Sequence, residues 1–140
     1  MRGAHMSASQ ERNLAIISHA ASLIGVLLSV FFIYGQQHVA VLVVGLVLMF
    51  VPHIVLLQVF GSKSDFVDSH FKNTINFAVT YIICVALSLL ALSFVLGIFF
   101  LPLTFAYGLV VTIMGIVKAS KGNFYKYTMT KSILKPRVTA

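Results

Sequence analysis

The chain alternates between clusters of charge and long stretches without any. From Asn13 to Ser62, and again from Asn73 to Val117, there is no Asp, Glu, Lys or Arg. One bilayer crossing takes about 20 apolar residues at 1.5 Å rise, so each stretch has room for two crossings and a turn. The first pair reads Leu14 to Tyr34 and Val39 to Phe60, joined by Gly35-Gln36-Gln37-His38. A glycine with three polar residues makes a short turn that can face water. The second pair reads Ile75 to Leu96 and Leu103 to Val117, with a turn at Gly97 to Pro102. That turn is apolar apart from its breakers, which places it at the membrane interface, because non-helical backbone exposed to hydrocarbon leaves amides unpaired.

Between the hairpins runs the one extended polar segment, Ser62 to Asn73. Ser64 is suited to cap a helix, with Asp65 and Asp68 in its first turn, where the helix dipole favours anions. Val67, Phe71, Thr74 and Ala78 then share a face at helical spacing. This predicts an amphipathic turn or two lying at the cytoplasmic interface and running into span three. A faint internal echo follows each hairpin, Ser62-Lys63-Ser64-Asp65-Phe66 and Ser120-Lys121-Gly122-Asn123-Phe124. Five residues are thin support for a repeat.

Composition agrees with a membrane solvent. Only 9% of residues are charged, 59% are hydrophobic, and the mean hydropathy is +1.00. A soluble domain needs a charged, mixed surface, and the chain holds three acidic residues in all. The net charge of +7 gains meaning only from its placement. Lys118, Lys121, Lys126, Lys131, Lys135 and Arg137 follow span four, Lys63 and Lys72 lie between the hairpins, and Arg12 precedes span one. The two outer turns carry no basic residue, so the positive-inside rule puts both termini and the central loop in the cytoplasm. Such flanking charge points to anionic lipid headgroups; nucleic acid would need a folded basic platform. Met1 to Met6 reads as a vector-derived leader, 7–128 as one four-span membrane domain, and 129–140 as a basic cytoplasmic tail.

Chemistry is sparse along the chain. Ser18, Ser22, Gly25 and Ser29 in span one, and Thr104, Gly108, Thr112, Gly115 and Ala119 in span four, form small-residue stripes that let helix backbones approach. His19 and His53 are the ionisable residues inside the spans and are candidates by default. Both fall about 9–12 Å from the cytoplasmic ends of antiparallel neighbours, so they are expected within reach of each other. Pro52 frees backbone acceptors beside His53. The pair reads first as neutral histidines bonded to carbonyls or to hydroxyls such as Ser18 and Ser22. A proton- or ligand-sensitive pair comes second, and a cofactor ligand pair third. No cofactor or metal is expected: Cys84 is the single cysteine, and no third metal ligand shares the depth of the histidines. Asp65, Asp68 and His70 cluster on the loop, but capping explains the aspartates. No nucleophile with a base at motif spacing and no phosphate loop occurs, so no enzyme is indicated. Lys118, Lys121, Phe124, Tyr125, Lys126 and Tyr127 read as an aromatic–basic belt at the lipid interface.

Three segments carry a family likeness: Arg12 to Ser22, Phe66 to Phe77, and Lys118 to Tyr127. In that order they resemble small bacterial membrane proteins of the Tic-twenty-like family of unknown function, distant relatives of a channel-forming component of chloroplast inner-envelope import. The resemblance implies four helices, cytoplasmic ends, a bacterial inner-membrane location, and His19, Asp68, His70, Lys72, Asn76 and Tyr127 as pattern positions. His53 falls where such proteins more often have an aromatic or aliphatic residue. The expected fold is thus an all-α bundle of four transmembrane helices, N-in and C-in. The expected role is a non-catalytic assembly module that binds itself or other membrane proteins. Its alternatives are a subunit of an oligomeric channel and a histidine-pair cofactor or proton-linked protein.

Overall fold

Four helices carry the chain in a computed structural model that describes residues 6–35 and 39–137. They are α1 (Ala8–Tyr34), α2 (Val39–Phe60), α3 (Asp65–Ala91) and α4 (Gly97–Ser120), with a short 3-10 turn at Leu92–Phe94 before α4. No strand occurs among the described residues. All four helices are long and apolar enough to cross a membrane. The all-helical architecture is therefore the expected one. Of the first turn, residues 36–38 lie outside the described residues, as do 1–5 of the leader and 138–140 of the tail.

Helix α1 starts earlier than its apolar run. Ser7 caps it, accepting from the Gln10 amide while the Gln10 side chain accepts from the Ser7 amide. This capping box extends the helix one and a half turns beyond Leu14 and satisfies amides that the helix end leaves free. The buried face of α1 is the small-residue stripe: Ser18, Ser22, Gly25 and Ser29 all lie inside, with Ala15, His19 and Val26. α4 presents Gly108, Thr112, Gly115 and Ala119 inward. A Cβ built on Gly115 would stand 2.6 Å from His19 Nδ1. Glycine is what lets the imidazole lie flat against α4.

The second hairpin differs from expectation in its turn. The break falls at 92–96, and Gly97 to Pro102 are the first turns of α4. Val95 adopts φ 65 and donates its amide to Leu92, closing the turn. Gly97 sits against it, where a Cβ would lie 2.6 Å from the Ser88 carbonyl oxygen. Pro102 lies one turn further in, inside α4, where it leaves the Ile98 carbonyl without its helical donor. The break therefore follows local packing of α3 onto α4, while the glycine and proline that suggested it belong to the first turns of α4.

The amphipathic segment is also altered. Ser64 caps α3 by accepting from the Val67 amide, and the segment forms the first turns of α3 itself, continuous with the span. Val67, Asp68, Ser69, His70, Phe71 and Asn73 are all buried. Two elements cover them: the start of α1, and the chain after α4. Residues 121–137 fold back beside α3 as an irregular strap. The core beneath runs through Val26, Met49, Phe77, Tyr81, Phe105 and Tyr127.

Candidate functional site

One buried polar cluster joins α1, α2, α3 and the strap. His19 sits on α1, where helical spacing aims it inward with Ser18 and Ser22. Its Nε2 lies 2.8 Å from His70 Nδ1 on α3, and its Nδ1 lies 2.5 Å from the Tyr127 hydroxyl on the strap. All three side chains are essentially shut off from the surface. A neutral imidazole has one donor and one acceptor nitrogen, so the line of three can carry its protons in either direction. If Tyr127 donates to His19, His19 donates to His70; if His70 donates, His19 donates to Tyr127. In both cases the line ends at His70, whose ring also meets the Asn123 backbone.

His53 belongs to the neighbourhood but not to that line. Its Nε2 bonds the Ser18 carbonyl at 2.8 Å and the Ser22 hydroxyl at 3.2 Å, and the ring also meets the Met49 backbone one turn back on α2. The expected meeting of His19 with His53 thus becomes a meeting of each with α1 or α3 groups. The Ser18 hydroxyl meets Thr74 of α3 at 2.8 Å, so it is the Ser18 carbonyl and the Ser22 hydroxyl that turn to α2 and take His53. Among the described residues, no three His, Cys, Asp or Glu side chains gather as a metal-holding group.

The loop motif is spread over several contacts. Asp68 accepts from Lys72 Nζ at 2.9 Å, one helical turn on, and Arg137 of the strap reaches Asp65 at 3.2 Å. The Arg137 amide donates to Asp68 at 3.3 Å. Asn73 Nδ2 donates to the Tyr125 carbonyl. Asn76 grips the strap main chain with both ends of its amide: Oδ1 accepts from the Ile133 and Leu134 amides, and Nδ2 donates to the Leu134 carbonyl. The Tyr107 hydroxyl of α4 donates to the Thr128 carbonyl. Irregular backbone beside the spans must find protein partners, and these side chains supply them.

Of the aromatic–basic belt, Lys118, Lys121 and Lys126 are exposed and Phe124 is half-buried. Tyr125 and Tyr127 are withdrawn from the lipid interface into the protein. The Tyr127 ring stacks on Phe77 with centroids 4.5 Å apart, and Tyr125 stands edge-on to it at 5.2 Å. Burial first, then Tyr125 and Tyr107, holds the Tyr127 phenol well above its ordinary value of 10, so it stays protonated. Burial raises the Tyr125 phenol likewise. The weak echo acquires a contact: Phe66 and Phe124 meet with centroids 5.3 Å apart. Sequence reasoning missed the strap as a whole. Its only signal was the asparagine pair at the entry to span three, amides that need partners.

A profile of the MamF/MmsF proteins, described as the magnetosome magnetite crystal formation protein family, matches residues 10–134. No curated protein and no solved structure matches. The family finding overturns the Tic-twenty-like resemblance, and the import-channel alternative loses its basis with it. The segments that carried the resemblance are the capped helix ends and strap contacts described above. In a small four-span bundle such positions call for similar residues whatever the protein does.

Proposed function

The chain belongs to the magnetosome magnetite crystal formation family, and from that premise we propose that it is a non-catalytic assembly module of the magnetosome membrane. It acts on the mineral through the membrane proteins it holds, and its own side chains do not template the crystal. One observation carries this reading. The chain's three carboxylates, Glu11, Asp65 and Asp68, all sit at the end of the bundle that bears both termini. Asp68 is committed to Lys72 and the strap, which leaves Asp65, in an exposed contact with Arg137, and Glu11 of the neighbouring helix end. Two remaining side-chain carboxylates on different helices, and none at the opposite end, do not make an acidic array for iron or oxide. The basic residues Lys118, Lys121 and Lys126 beside that end suit anionic phospholipid headgroups. By the same charge bias that end faces the cytoplasm, and the short uncharged turns face the opposite side.

The test is removal of the gene from a magnetite-forming bacterium, paired with crosslinking of the tagged protein in native magnetosome membranes. Altered crystal size or shape, together with reproducible membrane-protein partners, is the expected result. If the purified chain alone, reconstituted in vesicles, moved iron or passed ions, the module reading would be wrong.

A further inference from the structure

We propose that the cleft between the start of α1 and the turn joining α2 to α3 binds the headgroup of a zwitterionic phospholipid that carries a primary ammonium. Lys63 and Arg12 take its phosphate, and Glu11 and Asp65 take its ammonium. This goes beyond the assembly-module reading and does not rest on it, since it concerns the lipid around the chain rather than the proteins it holds.

Three parts of the chain build the cleft. Glu11 of α1, Ser62, Lys63 and Ser64 of the α2–α3 turn, and Asp65 and Phe66 of α3 line an open space of about 370 Å³. A smaller recess of about 120 Å³ continues past Glu11 and Phe66 to Arg12 and Gly122. The larger volume falls in the range of small-ligand sites, roughly 300–1,000 Å³. Phe66 is the apolar wall common to both, and it packs on His70 and Phe124 with ring centroids 4.4 and 5.3 Å away. The strap makes room for Arg12: Gly122 has φ 71, and a Cβ there would stand 3.0 Å from Arg12 Nε.

Charge singles this cleft out. Two cations and two carboxylates line it and its recess, yet none of them pairs with another. The ion pairs among the described residues are those of Asp68 with Lys72 and of Arg137 with Asp65 and Asp68. Glu11 is half-buried, and no described residue gives its carboxylate a hydrogen bond or an ion pair. Lys63 stands over the Phe60 ring, 5.0 Å from its centroid. The one competitor is Arg137, which meets Asp65 at 3.2 Å between exposed groups, and such pairs contribute little. Opposite charges that share a cleft without touching suit a ligand that carries both signs and bridges them. An anionic headgroup would meet the two carboxylates with like charge, and a metal cation would meet the lysine and arginine.

Depth agrees with a lipid. Glu11 and Arg12 precede the charge-free stretch from Asn13 to Ser62, and Lys63 follows it. Residues at such boundaries lie in the headgroup layer, where a phospholipid's phosphate and amine also lie. Ser64 accepts from the Val67 amide, which leaves its hydroxyl hydrogen to donate to phosphate. Donor count then separates the common zwitterions. A primary ammonium offers three N–H donors to carboxylate oxygens, and a quaternary one offers none.

The test is native mass spectrometry of the full chain released from micelles holding equimolar phosphatidylethanolamine and phosphatidylcholine with identical acyl chains. Wild type is expected to retain the ethanolamine lipid about tenfold over the choline lipid, as one added charge-assisted hydrogen bond allows. Glu11→Gln with Asp65→Asn should erase that preference. Glu11→Gln alone should already lower it severalfold, which guards against a double variant that fails to fold. Lys63→Gln with Arg12→Gln should reduce retention of both lipids, and Lys118→Gln with Lys121→Gln, outside the cleft, should change neither. Equal retention of the two lipids by wild type, or a preference that survives both carboxylate variants, overturns the proposal. So does preferential retention of phosphatidylglycerol that depends on Lys63 and Arg12, which would make the cleft an anion site. Displacement of the lipid by equimolar O-phosphoethanolamine would give the cleft to a soluble phosphoamine and overturn the lipid assignment.

Discussion

His19 shows how little freedom a buried polar side chain has in this bundle. Its two nitrogens are held by Tyr127 and His70, and its ring rests on Gly115. Gly115→Leu would drive side-chain atoms into the imidazole, and overpacking of this kind costs about 1–3 kcal/mol. A lowered thermal midpoint in detergent should report it, with a smaller drop for Gly45→Ala, where a Cβ would meet Leu28 at 3.2 Å. Tyr127→Phe strands His19 Nδ1 without changing the packed volume much, and an unpaired buried group costs about 1–3 kcal/mol. That substitution also has a pH signature. The folded-state pKa of Tyr127 lies well above its ordinary value of 10, so folding favours the protonated phenol. Its contribution is complete below about pH 10 and is lost as pH rises through the raised folded value. Unfolding followed from pH 9 upward should therefore show a shallower alkaline decline in Tyr127→Phe than in wild type.

At the scale of elements, the start of α3 and the strap depend on each other. Ser64 organises the first turn that carries Asp65 and Asp68. Ser64→Ala removes the bond to the Val67 amide and should cost about 1 kcal/mol, as cap losses do. Asn76→Leu is expected to act on the strap more than on the helices. Leucine suits α3, but the Ile133 and Leu134 main chain loses its partners. Limited trypsin digestion should then cut at Lys131 well before the bundle unfolds, while helix content by circular dichroism stays near wild type. Simultaneous loss of helix content and strap protection would mean that Asn76 supports the whole bundle.

The whole molecule has one charged end and one neutral end, and its orientation follows from that asymmetry. Reporter fusions after Tyr127 and within Ser62–Asp68 should give cytoplasmic signals, and one at Gln36–Gln37 an opposite-side signal. An opposite-side signal from the central position would break the four-span topology. α2 contributes little to the interior: Val43, Val47, Val51, Ile54 and Val55 are exposed. It is the wall that a lipid or a neighbouring helix would meet.

What the sequence determined by itself follows from the solvent. A bilayer sets the length of each crossing and requires every backbone amide to be paired, so two uncharged stretches of double length meant four helices with ends near Tyr34, Val39 and Phe60. The small-residue stripes on α1 and α4 were legible for the same reason, since close backbone approach is what holds helices together in lipid. The break falls at 92–96 rather than 97–102 because Gly97 opens α4 and Pro102 lies inside it, so neither residue marks the turn itself. The tertiary structure alone decided the partners. His70 rather than His53 lies against His19, because His53 is taken by the Ser18 carbonyl and the Ser22 hydroxyl of α1. Tyr125 and Tyr127 have the composition of a lipid belt, yet they turn inward because an irregular strap can bring its rings back over α3. Asn76 gave a local hint of an unmet need, but its partners stand 57 and 58 residues away in the chain. No local pattern encodes that distance; only the packing of α3 against the returning chain does.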